Sequence, residues 1–280
     1  MPYCTVEPEL DLYYEDFGEG PIVLFTNAGN LTHKMWEGQV AAFASAFRTL
    51  TWDWRGTGAS SKPRVGYTCE AVATDLGTLI EHVGAGAVAL VAHGIGTHAA
   101  LLLADRRPEL VRSLVLVSSA PWFTGEHEGV AGGVSTEFIR FLQDRNGLVD
   151  GRGVPYAQAC AELGEQWLFH RAQSPGVHAA ILEQALAWPQ VVINAYANSM
   201  RQIDHRGRLG HIVCPTLLVH GRHDRKQRYE GAVYMADHMP QARLLTLEDS
   251  AHMGQIEELN TFNDAVREFL LATSSPELAA

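Results

Sequence analysis

His252 lies in the loop Ser250-Ala251-His252-Met253-Gly254, just after an apolar run. Asp224 ends the segment Pro215-Thr216-Leu217-Leu218-Val219-His220-Gly221-Arg222-His223-Asp224. A histidine and a carboxylate delivered by loops after buried strands are the parts of a general base. The imidazole takes a proton, and the carboxylate accepts the Nδ1 proton, sets the tautomer and stabilises the imidazolium. His252 reads as the base and Asp224 as its orienter; a turn aspartate capping the next helix is the bland alternative. The nucleophile is missing. A third strand-to-helix segment, Val91-Ala92-His93-Gly94-Ile95-Gly96, has Gly94 at its centre. Glycine forms no covalent ester, although it tolerates a strained turn at low cost.

Four readings fit Gly94: a deliberate Ser→Gly replacement, a relative that binds a ligand without turnover, a hydrolase in which His252 activates water, or a base acting on the substrate itself. Retention of the His252–Asp224 pair weighs against a dead site. Other polar residues near the expected mouth are weaker candidates. His93 is expected to pack beside the turn, and His33 to start a helix at the surface. Ser118 and Ser119 end a strand but have no base spaced for them, and Arg55 reads as a structural donor in its own loop. Cys214 stands at the wrong end of its strand for nucleophilic work.

Composition bounds the rest. The chain has 280 residues, 46% hydrophobic and 19% charged, with net charge −11. That length and apolar content support a full core and exclude extensive disorder. An acidic chain gains nothing from counterion release, so nucleic acid is an improbable partner. The four cysteines, Cys4, Cys69, Cys160 and Cys214, have no metal-ligand spacing. No signal peptide is visible, and no apolar run reaches the ~18 residues of a membrane span. The expectation is a cytoplasmic protein with a small-molecule substrate, no cofactor, no metal and no membrane partner.

Short apolar runs alternate with helical periodicity, as a parallel sheet requires. A hairpin ends at Gly18-Glu19-Gly20. Strands are expected at 21–26, 48–54, 87–92, 114–117, 216–220 and 242–247, with helices at 35–47, 70–83, 98–106, 229–239 and 260–271. The tail from Thr273 is expected to fray. Between Trp122 and Asp204 the alternation stops, and only helical stretches remain. The segment carries Trp122, Phe123, Tyr156, Trp167, Trp188 and Tyr196. It reads as a helical subdomain with a small core of its own, and as a lid over the ligand end of the sheet.

Four ordered segments together resemble the α/β-hydrolase superfamily over nearly the whole chain. Trp52-Asp53-Trp54-Arg55-Gly56-Thr57-Gly58-Ala59-Ser60 is similar to its Asp-x-Arg-Gly-x-Gly-x-Ser loop. Ala92-His93-Gly94-Ile95-Gly96 occupies the Gly-x-Ser-x-Gly elbow, and the Asp224 and His252 segments follow in the family's order. The resemblance implies a mostly parallel central sheet flanked by helices, with a helical lid inserted before the last strands. It implies a core of residues 1–121 and 205–280 and a lid of 122–204. It also implies an oxyanion hole of backbone N–H groups, here Ile95 with Gly29 or its neighbour Asn30. The loop Asn27-Ala28-Gly29-Asn30 departs from the family's usual His-Gly start. A narrower likeness, over Trp52 to Gly58, is to the cofactor-free 2,4-dioxygenases of the same fold. In that group a His–Asp pair deprotonates a quinolone-like substrate that then reacts with oxygen. It generally has Ser at the elbow and its acid on the strand before the lid, where this chain has Ser118-Ser119.

The expected function is base catalysis without an acyl-enzyme on a small apolar or aromatic molecule, as an oxygenation, cyclisation, lyase step or C–C cleavage. A water-activating hydrolase and a non-catalytic binder are the alternatives. The expected pocket residues are Asn27, His33, His93, Ser119, Trp122, Trp167, Trp188 and Tyr196.

Overall fold

The computed structural model describes residues 2–130, 132–145 and 153–274. Among them eight strands form one sheet in the order β1-β2-β4-β3-β5-β6-β7-β8. β1 (Tyr3–Glu7) and β2 (Leu10–Phe17) make the hairpin, and β2 pairs antiparallel with β4 (Arg48–Trp52). From β4 onward the sheet is parallel through β3 (Ile22–Thr26), β5 (Val88–His93), β6 (Val111–Val117), β7 (Thr216–Gly221) and β8 (Ala242–Leu247).

The central strands are apolar because both faces are covered. Neighbouring residues alternate between two cores. Leu24, Leu90, Leu114, Leu116 and Leu218 face one, with α2 (Cys69–His82), α3 (Gly96–Arg106) and α8 (Tyr229–His238) over them. Val23, Phe25, Val91, Val115, Val117 and Val219 face the other, under α1 (Glu37–Phe43) and α10 (Leu259–Ser274). Each such side chain, fully buried, contributes about 1.5–3 kcal/mol.

Several boundaries differ from the sequence reading. The helix expected over 35–47 is a 3₁₀ turn at His33–Trp36 followed by α1. The strand expected to reach Trp54 stops at Trp52, because Trp54 turns its indole N–H onto Thr26 Oγ1 at 3.0 Å. The tail expected to fray from Thr273 instead stays helical through Ser274. Thr273 is buried, with Oγ1 3.1 Å from Ser113 Oγ. Residues 275–280 of that tail lie outside the described residues.

Between β6 and β7 the chain forms α4 (Thr136–Arg145), α5 (Tyr156–Trp167), α6 (Pro175–Leu186) and α7 (Gln190–Met200). Trp122 and Asp204 meet as an antiparallel bridge at the neck of this segment. Its small cluster of Val134, Phe138 and Phe141 is separate, whereas Trp188, Val192, Tyr196 and Met200 join the main core. Among the described residues no helix is long and apolar enough to cross a membrane.

Candidate active site

The ends of β3, β5, β7 and β8 lie at one edge of the sheet, where α/β folds place their ligands. After His93 the chain turns at Gly94, whose φ of +55° lies in the left-handed region, and α3 begins two residues later. Thr97 Oγ1 donates to Gly94 O at 2.6 Å and holds the turn. Gly96 is needed for a close approach: a Cβ there would stand 2.3 Å from Asn27 O. The start of α3 is therefore pressed onto the loop after β3.

Asp224, at the end of the β7 loop, and His252, in the loop after β8, are both buried. His252 Nδ1 lies 2.7 Å from Asp224 Oδ2. Asp224 Oδ1 accepts the backbone N–H groups of Lys226 (2.9 Å) and Gln227 (3.0 Å). Burial works to raise the Asp224 pKa, but the His252 imidazole outweighs it and holds the carboxyl below its usual range. Burial pushes His252 down to about 4; the Lys226 charge adds to this, and Asp224 opposes it. The pair at neutral pH is a neutral imidazole donating Nδ1–H to a carboxylate, which leaves Nε2 with a lone pair. Nε2 is buried without a hydrogen-bond partner. It stands 3.4 Å from the position a Cβ on Gly94 would take.

The loop is clamped from several sides. His93 Nε2 (2.8 Å) and Ser118 Oγ (3.0 Å) both donate to the His252 carbonyl. Glu257, in α9 (Gly254–Glu257), accepts Ala251 N–H at 2.7 Å with one oxygen. Its other oxygen accepts His170 and Arg171 N–H at 2.8 and 2.9 Å, tying the loop to the helical segment. Glu258 accepts Asp249 N–H and the Ser250 hydroxyl.

A cavity of about 740 Å³ lies between this edge and the helical segment. Its wall includes Gly29, Asn30 and Ile95 from the sheet side and Phe123, Phe138, Phe141, Leu163 and Ile193 from the segment. Among the described residues no acceptor takes the N–H of Gly29, Asn30 or Ile95. His252 itself is not among the lining residues; its ring is buried, with Nε2 facing the Cβ position of Gly94. A smaller open cleft of about 360 Å³ lies on the other side of the Asp224 loop, rimmed by Arg222, Arg225 and Arg228. Each of these has a partner: Glu248, Gln166 O and Glu137.

The residues expected in the pocket do not line it. Trp188 and Tyr196 pack on Trp54, with centroids 5.6 and 5.4 Å away, and donate to Leu31 O and Arg55 O. These contacts pin α7 and its preceding loop to the sheet. Trp122 is buried at the neck, donating to Gly125 O. Trp167 packs against Phe138 and Phe141 rather than facing the cavity. Asn27 is turned inward, with Nδ2 donating to Trp52 O. His33 is held by Asp53 Oδ2 at 2.9 Å, and Ser119 is buried. Arg55 is a structural donor, paired with Asp75 and Glu7. Sequence reasoning missed Lys226, which lines the cavity, and Glu257; the signal was their spacing, two residues after Asp224 and five after His252. Among the described residues no three His, Cys, Asp or Glu side chains converge as a metal site.

Residues 21–154 match the family model described as the alpha/beta hydrolase fold, and residues 188–279 match one described as TAP-like protein. A putative non-heme chloroperoxidase from Synechocystis is 30% identical over 236 residues, covering 80% of this chain and 83% of that protein. The AB hydrolase superfamily protein YisY from Bacillus subtilis is 26% identical over 270 residues, 95% of this chain and 98% of that one. An esterase structure from Exiguobacterium antarcticum superposes with a TM-score of 0.86 at 23% identity, covering 96% of this chain and 98% of that one, a likeness of fold. Sheet order, elbow, ordered His and Asp loops and these matches agree: the chain belongs to the α/β-hydrolase superfamily.

Proposed function

We propose that the chain is an enzyme of this superfamily that works by proton transfer, with His252 as general base, Asp224 as its orienter and no acyl-enzyme. The four helices between β6 and β7 act as a lid, and the cavity beneath them takes a small, largely apolar molecule. The observation that carries the reading is the buried, unpartnered Nε2 of His252, 3.4 Å from the Cβ position that Gly94 leaves empty. A base whose proton is held at about 4 is free at neutral pH, and its weakness restricts it to a strongly activated C–H or O–H bond. The N–H groups of Ile95 and of Gly29 or Asn30 stabilise the oxyanion that forms. Because His252 is not among the residues lining the cavity, the reacting atom reaches Nε2 only through a local opening of its wall. Cofactor-free oxygenation, cyclisation, lyase and C–C cleavage chemistry all begin with this step.

The test is deuterium incorporation from heavy water into a panel of enolisable ketones and 3-hydroxy-4-quinolones, with oxygen uptake followed in parallel. Exchange is expected to fall about 10²–10⁴-fold in His252→Ala. It is also expected to be lost in the native enzyme as pH drops through about 4. Exchange that survives His252→Ala refutes the mechanism, and ligand binding with no exchange at all identifies a binder. A second reading, direct activation of water, draws on the esterase-like fold. It requires the native chain to hydrolyse simple esters without a burst.

A further inference from the structure

Two residues past Asp224, Lys226 faces the cavity. It is half-buried. Its ammonium lies 5.2 Å from the centroid of the Phe138 ring. Among the described residues it makes no ion pair. The nearby Asp224 carboxylate is already taken by His252 and by two backbone N–H groups. Burial pushes the Lys226 pKa down to about 8, against the pull of Asp224, and its charge reaches His252.

The rest of the wall has the same sign. Among the described residues, Arg145 and Arg201 also line the cavity and no Asp or Glu does, although acidic residues outnumber basic ones 32 to 21 in the chain. Arg145 is paired with Glu162, and Arg201 is exposed. Lys226 is the cation set in the Asp224 loop, beside the buried pair. A partly buried ammonium whose neighbouring carboxylate is already engaged lacks a full counter-charge, and an aromatic face supplies only part of one.

We propose that Lys226 is the counter-charge for an anionic oxygen of the ligand, so that the substrate class is a small apolar acid whose hydrophobic body fills the cavity. The oxygen is either a carboxylate present from the start or an oxyanion formed as the proton leaves. The inference shares its cavity with the proton-transfer reading, but its test needs no turnover.

Binding of 1-naphthoate and of its neutral amide, 1-naphthamide, is measured calorimetrically at pH 7. The native protein should prefer the carboxylate by about tenfold or more, the worth of one charge-assisted hydrogen bond. Lys226→Gln should lose the preference, while Lys226→Arg and His252→Ala keep it. As a check on folding, 1-naphthoate should raise the melting temperature of the native protein but not of Lys226→Met. 4-Nitrophenol separates the two sources of the anion: its yellow phenolate should accumulate on the native protein below its free pKa only if a newly formed oxyanion is also held. No preference in the native protein, or a preference that persists in Lys226→Gln, overturns the proposal. A preference that survives while deuterium exchange fails sinks the proton-transfer reading alone.

Discussion

Gly94→Ser tests whether the cleared position is the seat of a nucleophile. The backbone there is already left-handed, at φ +55°. The nearest atoms to an added Cβ are His252 Nε2 at 3.4 Å, Ala28 Cβ at 3.6 Å and His252 Cε1 at 3.7 Å, so the side chain fits without a clash. A hydroxyl on that Cβ, turned toward the ring, falls within the ~2.6–3.2 Å of Nε2 that nucleophile activation needs. The cost is conformational, about 1–2 kcal/mol for an L-residue in the left-handed region. In a chain of this length each kcal/mol lowers the melting temperature by about 2 °C, so a loss of about 2–4 °C is expected. The assay is hydrolysis of 4-nitrophenyl acetate under burst conditions, comparing the native chain, Gly94→Ser, and Gly94→Ser combined with His252→Ala. The serine variant should show an acyl-enzyme burst and a steady rate about 10²-fold above the double variant, the lower range for base assistance. A serine variant that melts within a few degrees of the native protein, yet hydrolyses no faster than the double variant, refutes the claim that Nε2 is aimed at this position.

Acid should destabilise the fold early. His93, His98, His205 and His252 are buried, and burial lowers the pKa of each, to about 4 for His205 and His252. Their folded pKa values lie below the unfolded value near 6.5, so their stabilisation is complete above that pH and is lost as pH falls toward 4. His33 works the other way, because its Asp53 partner outweighs burial and raises it. Each net group steepens the fall by up to about 1.4 kcal/mol per pH unit, and a urea midpoint that stays flat from pH 7 to 5 would contradict this. Glu257→Ala strips the acceptor from Ala251, His170 and Arg171 N–H together. It should cost about 1–3 kcal/mol and speed hydrogen exchange at those amides while the sheet stays protected; unchanged exchange there would remove Glu257 from the clamp.

The layering of this molecule could be read from the chain. The runs at 22–25, 88–92 and 217–219 are apolar without a break, as suits a strand covered on both faces. The order Gly94, Asp224, His252 was equally visible, because it is the order of the superfamily that these segments resemble. The pocket was not legible. Trp188 and Tyr196 are large aromatics of the same helical segment as Phe138 and Phe141, yet the first two are spent on Trp54 and the second two border the cavity. Periodicity says that a helix has a buried face; it does not say which surface that face meets.

The local sequence determined the elbow, the glycine at its tip and the alternation that builds the sheet, because these depend on backbone conformation and on burial at a period of two or 3.6 residues. Tertiary structure alone decided that His252 Nε2 would be left without a partner opposite Gly94, and that His93 and Ser118 would hold the carbonyl of His252. It also decided that Lys226 would enter a wall that carries no carboxylate among the described residues. Each of these is a meeting of residues far apart in the chain. The forces that set them are packing and the desolvation of charge, which act on distances in space and not on spacing along the sequence.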